Sequence, residues 1–263
     1  MATLQFKNVI KQYRQGKQSL QVIHGVSADI ADGEFIVIVG PSGCGKSTLL
    51  KMVAGLLEPT DGRLHLWRKP VAQLEESGKK MAFVFQSPTL MPWASVQTNV
   101  RLPLDLAGVP RAEADARVTE ALALVGLSKF ANALPRALSG GMQMRVSIAR
   151  GLVTQPDLLL MDEPFGALDE ITRHKLDADL LDLWRKKKLT VIFVTHSIHE
   201  AVFLSSRVVM MAARPGRVVE EFRIDAPYPR TADFMVSPEF SRYAKLLQDS
   251  LLRASVDTEE TVA

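Results

Sequence analysis

Phe35-Ile36-Val37-Ile38-Val39-Gly40-Pro41-Ser42-Gly43-Cys44-Gly45-Lys46-Ser47-Thr48-Leu49-Leu50 reads as strand, loop and helix in one run. Phe35 to Val39 is an unbroken apolar and β-branched stretch, the pattern of a strand buried on both faces. Gly40 to Ser47 fits G-x-x-x-x-G-K-[ST], in which glycines let successive backbone N–H groups turn inward around phosphate oxygens and the following helix N-terminus adds partial positive charge. Gly40, Pro41, Ser42, Gly43, Cys44, Gly45, Lys46, Ser47 and Thr48 are therefore candidate phosphate-binding residues. Lys46 is placed to reach the β- and γ-phosphates, and the Ser47 hydroxyl to ligate Mg²⁺. The helix that follows carries Leu49, Leu50, Val53, Ala54 and Leu57. This is a strand-loop-helix unit of a parallel α/β sheet.

Upstream, Leu4 to Ile30 is strand-like, with Val26, Ala28 and Ile30 alternating before the turn Ala31-Asp32-Gly33. Downstream, Leu158 to Met161 and Val191 to Val194 bracket a helix striped with Leu176, Leu180, Leu183 and Trp184, an order expected of the same sheet. Between Gln86 and Pro156 the texture is helical, with Ala114, Val118, Ala121, Leu122 and Val125 on one face and five prolines as punctuation (Pro88, Pro92, Pro103, Pro110, Pro135). A helical subdomain inserted at about residues 87–156 is expected, within one domain spanning 1–263. Strands resume at Val208 to Met211 and Arg217 to Ile224, and the tail, about 237–263, reads as an amphipathic helix with a polar, frayed end.

The chain has 263 residues with 32 Lys+Arg against 29 Asp+Glu, a net +3 too small to imply nucleic acid without a clustered patch. Hydrophobic residues make up 47%, enough for a sizeable core. The opening MATLQFKNVIKQYRQGK carries charge where a signal peptide needs an apolar run, and no window approaches a membrane helix. The single cysteine, Cys44, excludes an intramolecular disulfide and any zinc site on paired thiolates. Lys46 and the helix N-terminus should lower its pKa, so that maleimide would block activity and bound nucleotide would protect.

Two further segments carry chemistry. The apolar run Leu158 to Met161 ends in Asp162-Glu163. Ligands of open parallel sheets sit at strand carboxyl ends, which suits Asp162 to the Mg²⁺ and Glu163 to the role of general base for the attacking water. Taken alone, such acids are ordinary turn residues. In Leu138-Ser139-Gly140-Gly141-Met142, Ser139 reads as an N-cap with Gly140 and Gly141 in the first turn, leaving backbone donors for a second anion. Two bare helix N-termini would be hard to bring to one phosphate within one fold. His196 and His199 at i and i+3 suggest a metal pair, but no third ligand follows at helical spacing. Lys186-Lys187-Lys188 reads as a solvated helix end.

The phosphate loop, Gln86 after Val84-Phe85, Leu138-Ser139-Gly140-Gly141, Asp162-Glu163-Pro164, Ala167-Leu168-Asp169 and His196, in this order, resemble the ATP-binding cassette ATPases over about Leu4 to Ile224. The resemblance implies an α/β fold: a P-loop NTPase (RecA-like) mixed sheet with an N-terminal antiparallel β portion and an inserted α-helical subdomain. It implies ATP hydrolysis with Mg²⁺ in a head-to-tail homodimer, each ATP held between the loop of one copy and Ser139-Gly140-Gly141 of the other. It further implies that Tyr13 stacks on adenine, Gln86 senses Mg²⁺ and the attacking water, Asp169 couples the two sites and His196 contacts the γ-phosphate. Met142, where many members carry glutamine, together with Leu90-Met91-Pro92-Trp93, Pro164 to Asp169 and Ala213-Arg214-Pro215-Gly216-Arg217, resembles importer subunits of the nitrate, sulfonate and taurine type. A peripheral protein at the cytoplasmic face of the inner membrane is implied. Its implied partners are membrane permease subunits contacted near Gln86 to Trp93 and a separate solute-binding protein, with no nucleic acid. Plain packing of Met91 and Trp93 in the helical subdomain is the alternative there. A cassette that acts in assembly instead of transport, or a P-loop kinase, would be the competing class.

Overall fold

Alternation along the first thirty or so residues builds an antiparallel ribbon. β1 (Ala2–Gln15) and β2 (Gln18–Ala31) pair with Val9 opposite Val26 and Tyr13 opposite Leu20, and Leu4, Phe6, Val9, Ile23, Val26 and Ile30 are buried. The computed structural model describes residues 2–16 and 18–260. Two compact units emerge, one formed by Met1–Lys79 with Lys188–Ala263 and the other by Lys80–Lys187.

In the first unit, β3 (Phe35–Val39) is wholly buried and leads through the glycine loop into α1 (Lys46–Val53). That helix is shorter than the expected span to Leu57. Gly55 takes φ +70°, and the Leu56 N–H returns to the Lys51 carbonyl at 2.9 Å, a left-handed termination that glycine makes cheap. β4 (Asp61–Leu66) pairs with β1 and turns into β5 (Lys69–Pro70), completing a sheet ordered β2-β1-β4-β5.

The second unit starts with β6 (Met81–Val84), followed by α2 (Val96–Leu106), α3 (Arg111–Leu124), α4 (Gly140–Leu152), β7 (Leu158–Asp162) and α5 (Glu170–Lys187). β6 and β7 pair in parallel, Ala82 beside Leu159 and Val84 beside Met161. Ala114, Val118, Ala121 and Leu122 form the buried face of α3. The basic end of α5 is held at the surface, where Lys187 pairs with Glu120 of α3 at 2.5 Å.

The chain then returns to the first unit with β8 (Thr190–Thr195), α6 (Ile198–Leu204), β9 (Arg207–Ala212), β10 (Arg217–Arg223), α7 (Ala232–Met235) and α8 (Pro238–Glu260). β3 lies parallel to both β8 and β9, and β10 closes the edge antiparallel to β9, so this sheet is mixed. The frayed end expected beyond α8 lies outside the described residues. Ahead of α7, buried Arg230 donates to the carbonyls of Val202, Phe203, Ser205, Ile224 and Ala226, at 2.7 to 3.1 Å, with the Tyr228 ring 4.2 Å from its guanidinium carbon. Two of those carbonyls belong to the C-terminal turn of α6 and a third to its C-cap Ser205, where negative partial charge accumulates and suits a buried cation. Burial lowers the Arg230 pKa and pushes the Tyr228 phenol up to about 12.

Candidate functional site

The loop between β3 and α1 is shaped by backbone close approach. A Cβ on Gly40 would lie 2.5 Å from the Met211 carbonyl oxygen and 2.8 Å from Cys44 Sγ, so only glycine fits. Gly43 and Gly45 take φ +78° and +96°, and Gly45 caps α1 without any side chain, leaving the helix N-terminus uncovered. No acidic side chain stands in the first turn of α1 to compete for an anion. Lys46 is only 5% exposed. Its ammonium folds back over the loop, donating to the carbonyls of Gly40 at 2.8 Å and Pro41 at 3.2 Å. Ser47 and Thr48 are half-buried in the first helical turn, while Ser42 and Gly43 are exposed at the loop tip.

Cys44 corrects the expectation of a reactive thiol: it is 0% exposed, with Sγ packed against Gly40. Buried there, the thiol is out of reach of a reagent, whatever charge the helix N-terminus and Lys46 offer it.

In the same unit, Tyr13 on β1 is 40% exposed with the Lys11 ammonium 5.2 Å from its ring centre. His196 is exposed immediately after β8. The chain on either side of it is pinned, because buried Glu200 accepts from the Thr195 hydroxyl, which in turn accepts from the Ser197 N–H at 3.0 Å. His199 packs on the Phe240 ring at 5.7 Å instead of joining His196, and among the described residues no three His, Cys, Asp or Glu cluster as a metal site.

In the second unit, Asp162 closes β7 and is buried, and Glu163 follows at φ +44°. Phe165, wholly buried, anchors the turn beyond them. Asp169 accepts from the Thr172 N–H at 2.9 Å, capping α5, and that bond holds its carboxyl below the usual carboxylate range. Ser139 is the N-cap of α4, accepting from Met142 N–H at 3.3 Å. Gly140 is exposed beside it, whereas Gly141 is buried.

Gln86 is exposed just past β6, and Trp93 is 78% exposed, which removes core packing as the explanation of that tryptophan. Two residues absent from the sequence reading hold this segment. Buried Asn99 donates to the carbonyls of Met91, Ala94 and Ser95 and accepts from Met91 N–H. Arg150, with its pKa lowered by burial, donates to the carbonyls of Pro88 and Thr89. The signal for Asn99 was a polar residue on the buried face of a helix begun by the cap Ser95, a position that calls for a partner.

Ser47 in the first unit, and Gln86 and Asp162 in the second, each offer an oxygen donor and no thiolate or imidazole, the donor chemistry of a hard cation such as Mg²⁺.

A family model described as ABC transporter matches residues 23–166. A putative ATP-binding protein of Brucella abortus (strain 2308) is 46% identical over 238 residues, 90% of this chain and 89% of its own. A taurine import ATP-binding protein of Rhizobium johnstonii is 48% identical over 229 residues, 85% of this chain and 86% of its own. A dimeric ATP-binding cassette in a post-hydrolysis state, bound to ADP and Pi, superposes with a TM-score of 0.75 at 34% identity, covering 85% of this chain and all of that one.

Proposed function

The chain belongs to the ABC transporter family of ATP-binding proteins, and from that premise we propose that it energises uptake of a small solute of the nitrate, sulfonate or taurine type. It is the ATP-hydrolysing subunit of an importer, and cassettes of this kind work as dimers. The observation that carries the ATPase reading is the uncovered N-terminus of α1 behind the Gly40–Ser47 loop, a nest of backbone donors with a lysine folded over it, and the likeness to a taurine import ATP-binding protein supports the solute class.

In the proposed mechanism the Lys46 ammonium exchanges the Gly40 and Pro41 carbonyls for β- and γ-phosphate oxygens, while the loop amides from Ser42 to Thr48 hold the rest. Tyr13 covers the adenine. Ser47, Asp162 and Gln86 would hold a Mg²⁺ ion, which would neutralise phosphate charge. Glu163 takes the proton of the attacking water, and His196 steadies the γ-phosphate. Ser139, Gly140 and Gly141 of the second copy in a head-to-tail dimer present the α4 N-terminus to the same nucleotide. Asp169 couples the two sites through the position of α5, which it caps.

No helix among the described residues is long and apolar enough to cross a membrane. Membrane permease subunits are the proposed partners, a reading supported by the likeness to an import ATP-binding protein. The exposed Trp93 segment, tied down by Asn99 and Arg150, is the proposed contact, at the cytoplasmic face of the inner membrane, with a separate solute-binding protein delivering the solute.

Glu163→Gln tests the chemistry. ATP should still bind and stabilise the dimer while turnover falls by about 100-fold or more. Unchanged turnover rejects Glu163 as the base.

A further inference from the structure

The Ala213–Arg217 segment, which marks the chain in sequence but enters no step above, lies against the phosphate loop. A Cβ on Gly216 would stand 2.1 Å from the Cys44 carbonyl oxygen and 2.7 Å from that of Val22, distances no side chain survives. Gly216 N–H donates to the Val22 carbonyl at 2.9 Å, and its own carbonyl accepts from His24 N–H at 2.8 Å, so the β9–β10 turn is fastened to β2 on both sides of Ile23. From the same strand, the Ile23 side chain stands where a Cβ on Gly45 would be, at 2.5 Å. Unlike Gly43 and Gly45, Gly216 is absent from the residues with positive φ, so its glycine is required by space alone.

The contact has a direction. The Cys44–Gly45 peptide is trans, and in a trans peptide the carbonyl and the following N–H point to opposite sides of one plane. With the Cys44 oxygen aimed at Gly216, closer to it than its own carbonyl carbon, the Gly45 N–H of the same peptide faces away from Gly216. We propose that Gly216 is a positioning residue for nucleotide binding: by letting the β9–β10 turn lie flush on the Cys44 carbonyl, it sets the orientation of the Gly45 amide in the phosphate nest. Nucleotide affinity then depends on a residue that touches no nucleotide.

The proposal rests on ATP binding at the Gly40–Ser47 loop, and the experiment separates the two. Binding of a fluorescent ATP analogue and thermal unfolding without nucleotide are measured for the full chain and four variants. Gly216→Ala should weaken binding at least about tenfold, with the amides of residues 40–48 alone gaining hydrogen exchange, because a methyl there must rotate the peptide. His24→Pro, which deletes one bond to the turn and adds no atom at Cys44, should weaken it about fivefold and serves if Gly216→Ala does not fold. Gly33→Ala, strained at φ +73° but with nothing within 4 Å, should lower thermal stability and leave affinity unchanged. Lys46→Ala should lose binding. If it binds as the wild type does, the loop reading itself fails. If Lys46→Ala is impaired while Gly216→Ala or His24→Pro binds normally, or if Gly33→Ala loses affinity in proportion to its stability, the Gly216 proposal is overturned.

Discussion

Gly140 and Gly141 begin α4 side by side, and the structure separates what each glycine is for. An added Cβ at Gly140 would meet only Leu168 Cδ2 at 3.7 Å, ordinary contact, whereas at Gly141 it would lie 2.7 Å from Thr172 Cγ2. Alanine in place of helical glycine gains up to about 1 kcal/mol. Gly140→Ala should therefore leave stability unchanged or raise it by up to about 1 kcal/mol, while lowering ATPase activity, since the methyl stands on the exposed face proposed to meet nucleotide. Gly141→Ala suffers overpacking of about 1–3 kcal/mol, partly offset by the same helix gain, for a net loss of about 0–2 kcal/mol. Thr172→Ser removes the clashing methyl and keeps the hydroxyl. The double variant should thus be about 1–2 kcal/mol more stable than the sum of the single changes predicts. Urea unfolding of the four variants, with ATPase assays alongside, measures this directly. Destabilisation by Gly140→Ala, or no coupling between Gly141→Ala and Thr172→Ser, refutes the assignment.

Three other outcomes are open to measurement. Cys44 should react with a thiol reagent in urea but barely at all in the folded protein, because it is fully buried; rapid labelling of folded protein would contradict the loop packing. Trp93→Ala should change stability by less than about 0.5 kcal/mol and spare ATP binding while weakening association with the permease, and an equal loss of ATP affinity would sink that assignment. Tyr228 donates its hydroxyl to the Leu204 carbonyl at 3.0 Å, and its pKa is raised from 10.0 to about 12. A raised acid pKa favours the neutral form in the folded state, so its contribution is complete below pH about 10 and lost between about 10 and 12, on the order of 2–3 kcal/mol. Tyr228→Phe should abolish that slope in urea unfolding; an unchanged slope would place the titrating group elsewhere.

Elements with strong local codes were legible along the chain. The all-buried runs at β3, β7 and β8 announce themselves because every side chain must be apolar, and Ser139 is a cap by residue type and by geometry alike. β4 and β6 were not read. Each buries only two side chains, Leu64 with Leu66 and Ala82 with Val84, an alternation too short to stand out from loop. The overrun of α1 to Leu57 came from following apolar spacing past Gly55, whose left-handed conformation outweighs two more apolar contacts.

The sequence alone was enough for the phosphate loop, the acidic pair at the end of β7, the capped glycine helix and hence the family chemistry, since each depends on residues adjacent in the chain and on local backbone rules. Contacts between distant segments were decided by tertiary structure. Gly216 against Cys44, Asn99 and Arg150 under the Trp93 segment, the burial of Cys44 and the different surroundings of Gly140 and Gly141 all follow from which backbone carbonyl or methyl arrives from elsewhere. No local pattern encodes that, because close packing is a property of the neighbours a residue acquires on folding.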